Sequence, residues 1–135
     1  MELHLSSNDQ QQLLCWAEAA GAHECCGLLR GRGNRVNAVE LTRNVAVDPT
    51  RHFELDPAAL VGVHKDIRAG GLPLLGYFHS HPNGLAQPSV IDVAQAPPDN
   101  LFWLIIAKHI VTAWQPVVTD ARVTGFTRAT LILEG

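Results

Sequence analysis

The sequence predicts an α/β (α+β) protein built on a mixed, curled β-sheet flanked by helices. Three observations predict it. Residues 101–107, Leu-Phe-Trp-Leu-Ile-Ile-Ala, are an unbroken apolar run, as expected of a central strand covered on both faces. Ser7-Asn8-Asp9-Gln10 and Asp56-Pro57 are helix-opening signals placed among runs of strand-forming residues. The second half of the chain is dominated by hairpin-like pairs of short strands. Alternating helices and strands of this kind pack as helices on the faces of one sheet.

The elements follow in order. Ser7-Asn8-Asp9-Gln10 has the S-x-x-Q form of a capping box and opens a helix that closes near Gly21, with Leu13, Ala17 and Ala20, and Leu14 beside them, as its apolar face. Residues 26–30 and 35–41 read as strands joined by the turn Gly31-Arg32-Gly33-Asn34. Asp56 caps a second helix with Pro57 at its first position and Gly70-Gly71 as its stop. Leu60, Val61, His64 and Ile67 share one side of it. Residues 74–81 form a strand, Ser89 opens a short helix that ends before Pro97-Pro98, and 101–107 is the central strand. Further strands fit 109–114, 122–127 and 130–133.

Composition sets the bounds. A chain of 135 residues is one domain, spanning 1–135, and long enough to bury a sizeable core. With 47% apolar residues it is not a disordered chain. A net charge of -3 supplies no basic field and argues against a nucleic-acid partner. No apolar run is long enough to span a bilayer, and Met1-Glu2-Leu3-His4 lacks the features of a signal peptide. Cys15, Cys25 and Cys26 are an odd set best read as reduced thiols, which points to the cytoplasm.

The chemistry concentrates at His79-Ser80-His81, followed by Ser89 and Asp92. Residues two apart in a strand point to the same side, so His79 and His81 would project into one pocket. A reversal through Pro82-Asn83-Gly84 can return Asp92 to the same spot. Two imidazoles and a carboxylate suit catalytic zinc and leave a fourth position for water. Ser89 with Asp92 three residues later also reads as a helix N-cap. Capping and metal binding are compatible, because the first turn of a helix can aim at a strand end.

The segment His79-Ser80-His81-Pro82, with Ser89 and Asp92 at their spacing, resembles the H-[ST]-H-P-x(6)-S-x-x-D signature of the JAMM, or MPN-plus, zinc metalloproteases. Glu24-Cys25-Cys26-Gly27-Leu28-Leu29 is similar to that family's upstream E-x-C-G segment. Asn44, Pro49, Phe53 and Asp56 resemble its connecting pattern, and Gly76-Tyr77-Phe78 its lead into the first histidine. The resemblance implies the family's cytidine-deaminase-like fold and one zinc per chain, held by His79, His81 and Asp92. It implies Glu24 as the catalytic base and Ser89 as the residue that stabilises the oxyanion. It also implies hydrolysis of the amide bond after the C-terminal glycine of a ubiquitin-like or sulfur-carrier protein. The competing expectation is a zinc-stabilised module that binds a peptide or protein without turnover.

Other candidates carry less. Cys25 and Cys26 read as small buried thiols. His4, His23, His52, His64 and His109 have no partner spacing, although His23 adjoins Glu24. Arg30, Arg32 and Arg35 read as a solvated basic end of the first hairpin.

Overall fold

The computed structural model describes residues 1–135. Seven strands form a closed barrel in the order β1-β3-β2-β4-β5-β6-β7. They are β1 (Glu2–Ser6), β2 (Cys26–Arg32), β3 (Arg35–Thr42), β4 (Leu74–Ser80), β5 (Phe102–Ala107), β6 (Ile110–Thr119) and β7 (Arg122–Glu134). Three helices accompany them: α1 (Ser7–Ala20), α2 (Pro57–Arg68) and α3 (Val90–Gln95). No helix is long and apolar enough to cross a membrane.

The mixed sheet with flanking helices is as the sequence predicts, and it goes further by closing on itself. Closure is the work of β1, which pairs parallel with β7 from Glu2↔Thr130 to Ser6↔Glu134 and touches β3 at His4↔Arg35. The elements expected from sequence include no strand there. The signal was present, since Leu3 and Leu5 alternate with polar neighbours and both are fully buried. Long-range pairing also explains β7. Its first half pairs with β6 and its second half with β1, so it runs unbroken where two strands were expected.

β5 is buried along its whole length, between parallel β4 and antiparallel β6. Apolar groups collect on two sides of this sheet. Phe78, Leu104 and Ile106 join Leu3, Leu5 and Leu13 in the larger core, packed against α1. Tyr77 and Trp103 join Leu28 and Val63 in the smaller one, packed against α2. The alternation along β4 therefore assigns Phe78 to one side and Tyr77 and His79 to the other.

Three local expectations shift. The N-cap of α1 is Ser6, whose side chain accepts from Asp9 N, one residue before the expected cap. The buried face of α2 centres on Val63 with Leu60 and Ile67, while Val61 is 55% exposed. A helix residue three along from Leu60 shares its stripe better than its immediate neighbour does. Arg30 is buried rather than solvated. Its guanidinium donates to Glu40 on β3, Asp66 on α2 and the Leu72 carbonyl, tying three elements together.

Candidate metal centre and adjoining cleft

The C-terminal end of β4 delivers the two histidines. His79 is within the strand, and His81 N donates to Ile106 O at 2.8 Å, extending the ladder with β5 one step past Ser80. A tight turn follows, in which Gly84 N donates to His81 O and Leu85 N to Asn83 Oδ1. Gly84 takes a left-handed conformation (φ 81°) to make it. The turn places Leu85 O 2.8 Å from His81 Nδ1. That contact fixes Nδ1 as a donor, so that on losing its other proton His81 presents the Nε2 lone pair to the pocket.

Asp92 arrives on α3. Its Oδ2 lies 3.2 Å from His79 Nε2 and 3.0 Å from His81 Nε2, and the two imidazole nitrogens are 2.9 Å apart. Ser89 N donates to that same oxygen at 2.9 Å, and Ser89 Oγ accepts from Asp92 N at 3.0 Å. The capping box thus aims the carboxylate. Burial opposes ionisation of Asp92, but hydrogen bonds with His79 and His81 outweigh it and hold the carboxyl well below the usual range.

His79 is fully buried and is oriented by packing. Phe53 stacks on its ring at 4.4 Å and Trp103 meets it edge-on at 5.4 Å. Its Nδ1 has no hydrogen-bond partner. Desolvation pushes its pKa down, which favours the neutral, metal-competent imidazole.

Glu24 enters from the α1–β2 junction and is only 5% exposed, not the solvated acid its position alone suggests. Its backbone is held at both ends: N donates to Pro49 O at 2.7 Å, and O accepts from Asn44 Nδ2 at 2.9 Å. Asn44 also donates to His52 O, and its Oδ1 accepts from Ala46 N and Glu54 N. All its amide capacity is spent on shaping the 44–54 loop around Glu24. Donor atoms of Glu24, His79 and His81 all lie within 4.8 Å of one another, and Glu24 Oε1 is buried without a partner. Burial raises the Glu24 pKa to about 7; attraction to His81 opposes the rise and repulsion from Asp92 adds to it.

These residues fit a small dication. Tetrahedral zinc with bonds of about 2.0–2.1 Å has ligand–ligand edges of about 3.3 Å. The three edges of the His79, His81 and Asp92 set are 2.9, 3.0 and 3.2 Å. Asp92 is at hydrogen-bond distance from both imidazoles, whereas Glu24 Oε1 has no partner. His79, His81 and Asp92 are thus close enough together to hold such an ion, with the Glu24 carboxylate beside them.

The structure brings all five predicted residues, Glu24, His79, His81, Ser89 and Asp92, into one place. His23 is exposed. His4 faces Glu134 at 3.6 Å, across the barrel seam. Cys25 and Cys26 are buried, and burial pushes both thiols up, Cys26 to about 11, so neither is a nucleophile at neutral pH.

A cleft of about 450 Å³ opens beside Asp92, lined by Phe53, Leu55, Leu60, Tyr77, Pro97 and Trp103 among others. Tyr77 donates to Asp99 at 2.5 Å, fixing the 96–100 segment to one wall. The sequence places Tyr77 only in the lead into His79 and Trp103 only in the central strand. Both come from positions that read simply as strand core, and only the long-range β4–β5 pairing sets them at the cleft.

A seven-stranded barrel with this donor cluster at a strand end defines a class. The chain belongs to the family described as prokaryotic homologs of the JAB domain, whose model matches residues 6–120. It is 31% identical over 109 residues to a desampylase of Haloferax volcanii, covering 76% of this chain and 78% of that protein. It is 38% identical over 73 residues to a probable TtuB-protein conjugate cleaving protease of Thermus thermophilus, covering 54% of this chain and 49% of that one. Among solved structures, a protein from Desulfitobacterium hafniense superposes with a TM-score of 0.80 at 30% identity, over 99% of this chain and 93% of the other. A JAB1/MPN domain protein from Archaeoglobus fulgidus shares the fold at a TM-score of 0.59 and 14% identity, over 96% of each chain.

Proposed function

We propose that this protein is a zinc-dependent peptidase or isopeptidase that hydrolyses the amide bond after the C-terminal glycine of a ubiquitin-like or sulfur-carrier protein. The observation that carries the reading is the convergence of His79 Nε2, His81 Nε2 and Asp92 Oδ2 beside a buried carboxylate with an unpartnered oxygen. Support for the substrate class comes from the relatives named for desampylation and for cleaving TtuB conjugates.

His79, His81 and Asp92 would hold the zinc, which would supply Lewis-acid polarisation of the scissile carbonyl and acidify bound water. Glu24 handles the proton. Its buried carboxylate, with an unpartnered oxygen beside the histidines, is placed to accept a proton from water and to give it to the leaving amine. Ser89 Oγ accepts from Asp92 N, which leaves its own hydrogen free to be donated to the carbonyl oxygen as charge develops there. Phe53 and Trp103 keep His79 dry and fixed.

A non-catalytic zinc module has no use for an unpartnered buried acid next to the metal. The discriminating experiment compares zinc-loaded wild type with Glu24→Gln on a carrier-protein fusion, followed by mass spectrometry. The expected result is retained zinc with turnover lowered about 10²–10⁴-fold. Equal turnover removes Glu24 from the reaction, and no turnover by the wild type on any carrier fusion favours the binding module.

A further inference from the structure

The two histidines are held by different means, and the difference points to β6. His79 is clamped between aromatic rings and its Nδ1 has no partner. His81 depends on a hydrogen bond to Leu85 O, a carbonyl in the loop between β4 and α3. That loop needs an anchor, because a carbonyl that drifts cannot hold an imidazole's tautomer or angle. The next carbonyl along, Ala86 O, accepts from Thr112 Oγ1 at 2.8 Å. Thr112 is a buried polar residue on β6. Its oxygen in turn accepts from Trp114 Nε1 at 2.8 Å. The Ile105 carbonyl, 3.5 Å away, is the poorer acceptor for the single hydroxyl hydrogen. The hydroxyl therefore has one clear direction: indole to threonine to the Ala86 carbonyl.

We propose that Thr112 is a positioning residue for the metal site, which through Ala86 O fixes the Leu85 carbonyl and so holds the His81 imidazole with Nε2 facing the ion. The proposal rests on the zinc reading above. It assigns a role to a residue whose side chain hydrogen-bonds none of the five site residues, on a strand that supplies none of them. The effect is specific to the hydroxyl. Valine has the same shape, and it would leave both Ala86 O and Trp114 Nε1 without their partner in a part-buried setting. Serine keeps the hydroxyl and loses only a methyl group.

The test is zinc affinity, measured on the full chain by competition with a chelating indicator, for wild type, Thr112→Val, Thr112→Ser and a control. Partners that orient metal-binding histidines typically account for about 10–100-fold in affinity. Thr112→Val is expected to bind zinc weaker by that factor, and Thr112→Ser to recover most of it. The control is Val36→Ala, a buried core residue paired with Gly31, at the end of the first hairpin away from Cys26. It should lower thermal stability and leave zinc affinity unchanged. Should Thr112→Val not fold, Asn83→Ala loosens the same loop from its exposed side by removing the acceptor of Leu85 N, and should weaken zinc in the same direction. Unchanged zinc affinity in folded Thr112→Val, or in Asn83→Ala if that variant stands in, overturns the proposal and leaves the metal site intact. A wild type that binds no zinc overturns both.

Discussion

Ser89 and Asp92 are joined by two reciprocal hydrogen bonds, and the Asp92 oxygen that accepts from Ser89 N is the one that faces both imidazoles. Helix capping and the aim of the carboxylate are one arrangement here. A carboxylate on a six-residue helix would otherwise be free to rotate away from the strand end.

The first expectation follows from that pair. Ser89→Ala should lower stability by about 0.5–2 kcal/mol through the lost cap, measured by denaturant unfolding. It should also lower kcat by up to about 10²–10³-fold through the lost oxyanion donor. Ser89→Asp restores an N-cap acceptor without a hydroxyl donor. If it recovers turnover along with stability, the donor role is wrong.

Metal loss has a defined signature. His79→Ala, His81→Ala and Asp92→Asn should each lose the zinc stoichiometry of one per chain, read by metal analysis after desalting. Zinc should raise the thermal midpoint of the wild type, since a ligand that binds only the folded state stabilises it. The three variants should show no such rise. Retention of stoichiometric zinc by either histidine variant would end the proposed ligand set.

The pH dependence of the metal-free protein should expose Glu24. Its pKa rises on folding from 4.5 to about 7, so between those values the folded state holds a proton that the unfolded chain has released. This group's contribution is therefore greatest below about pH 4.5 and is lost as pH climbs through 7. Glu24→Gln cannot ionise and escapes the loss. Its stability advantage over wild type should grow across that range, towards an upper bound of about 3 kcal/mol. The measurement is urea unfolding of both proteins with chelator, from pH 5 to 8. A constant difference would mean that Glu24 ionises freely in the folded state.

Much of the site was legible because its chemistry is local in sequence. His79 and His81 share a strand face, and Ser89 and Asp92 share a helical turn. What escaped is what the barrel brings together from afar. Thr112 and Trp103 lie on strands that read only as apolar or alternating, and nothing in their neighbours marks a link to the 82–88 loop or to His79. The missed β1 and the unbroken β7 have the same cause, since their pairing joins the two ends of the chain. Arg30 was misread because its partners Glu40 and Asp66 are on other elements. Asn44 and Phe53 stood in a recognisable pattern, but only the folded 44–54 loop shows one holding Glu24 and the other covering His79.

Gly27 tests how tightly the strand beside Glu24 is packed. A Cβ there would come 2.1 Å from Glu40 O and 2.4 Å from the Phe78 ring. Neither can retreat easily, one being backbone and the other fully buried. Gly27→Ala should destabilise by about 1–3 kcal/mol or more, read by chemical denaturation. A neutral effect would show that β2 and β3 have more room than this packing allows.

The last expectation concerns the substrate's tail. Both edges of β4 are occupied, by β2 and β5, so a tail entering the cleft finds no open barrel strand beside the histidines. The Phe53–Leu55 segment, bridged from Leu55 to Asn44, forms one wall of the cleft. Backbone pairing along that segment would hold a tail extended and lead it towards Asp92. Close to the ligand set the walls are the Phe53 ring on one side and the α3 turn on the other. Glycine, lacking a side chain, makes the least steric demand on a chain passing between them and is the expected residue next to the scissile bond. Matched carrier fusions ending in Gly-Gly or Ala-Leu before that bond should therefore differ sharply. Mass spectrometry should find a product cut directly after the last glycine in the first and no cleavage in the second. Equal cleavage of both would mark a general peptidase and remove the carrier-tail specificity, while leaving the roles of Glu24 and the three ligands to stand on their own tests.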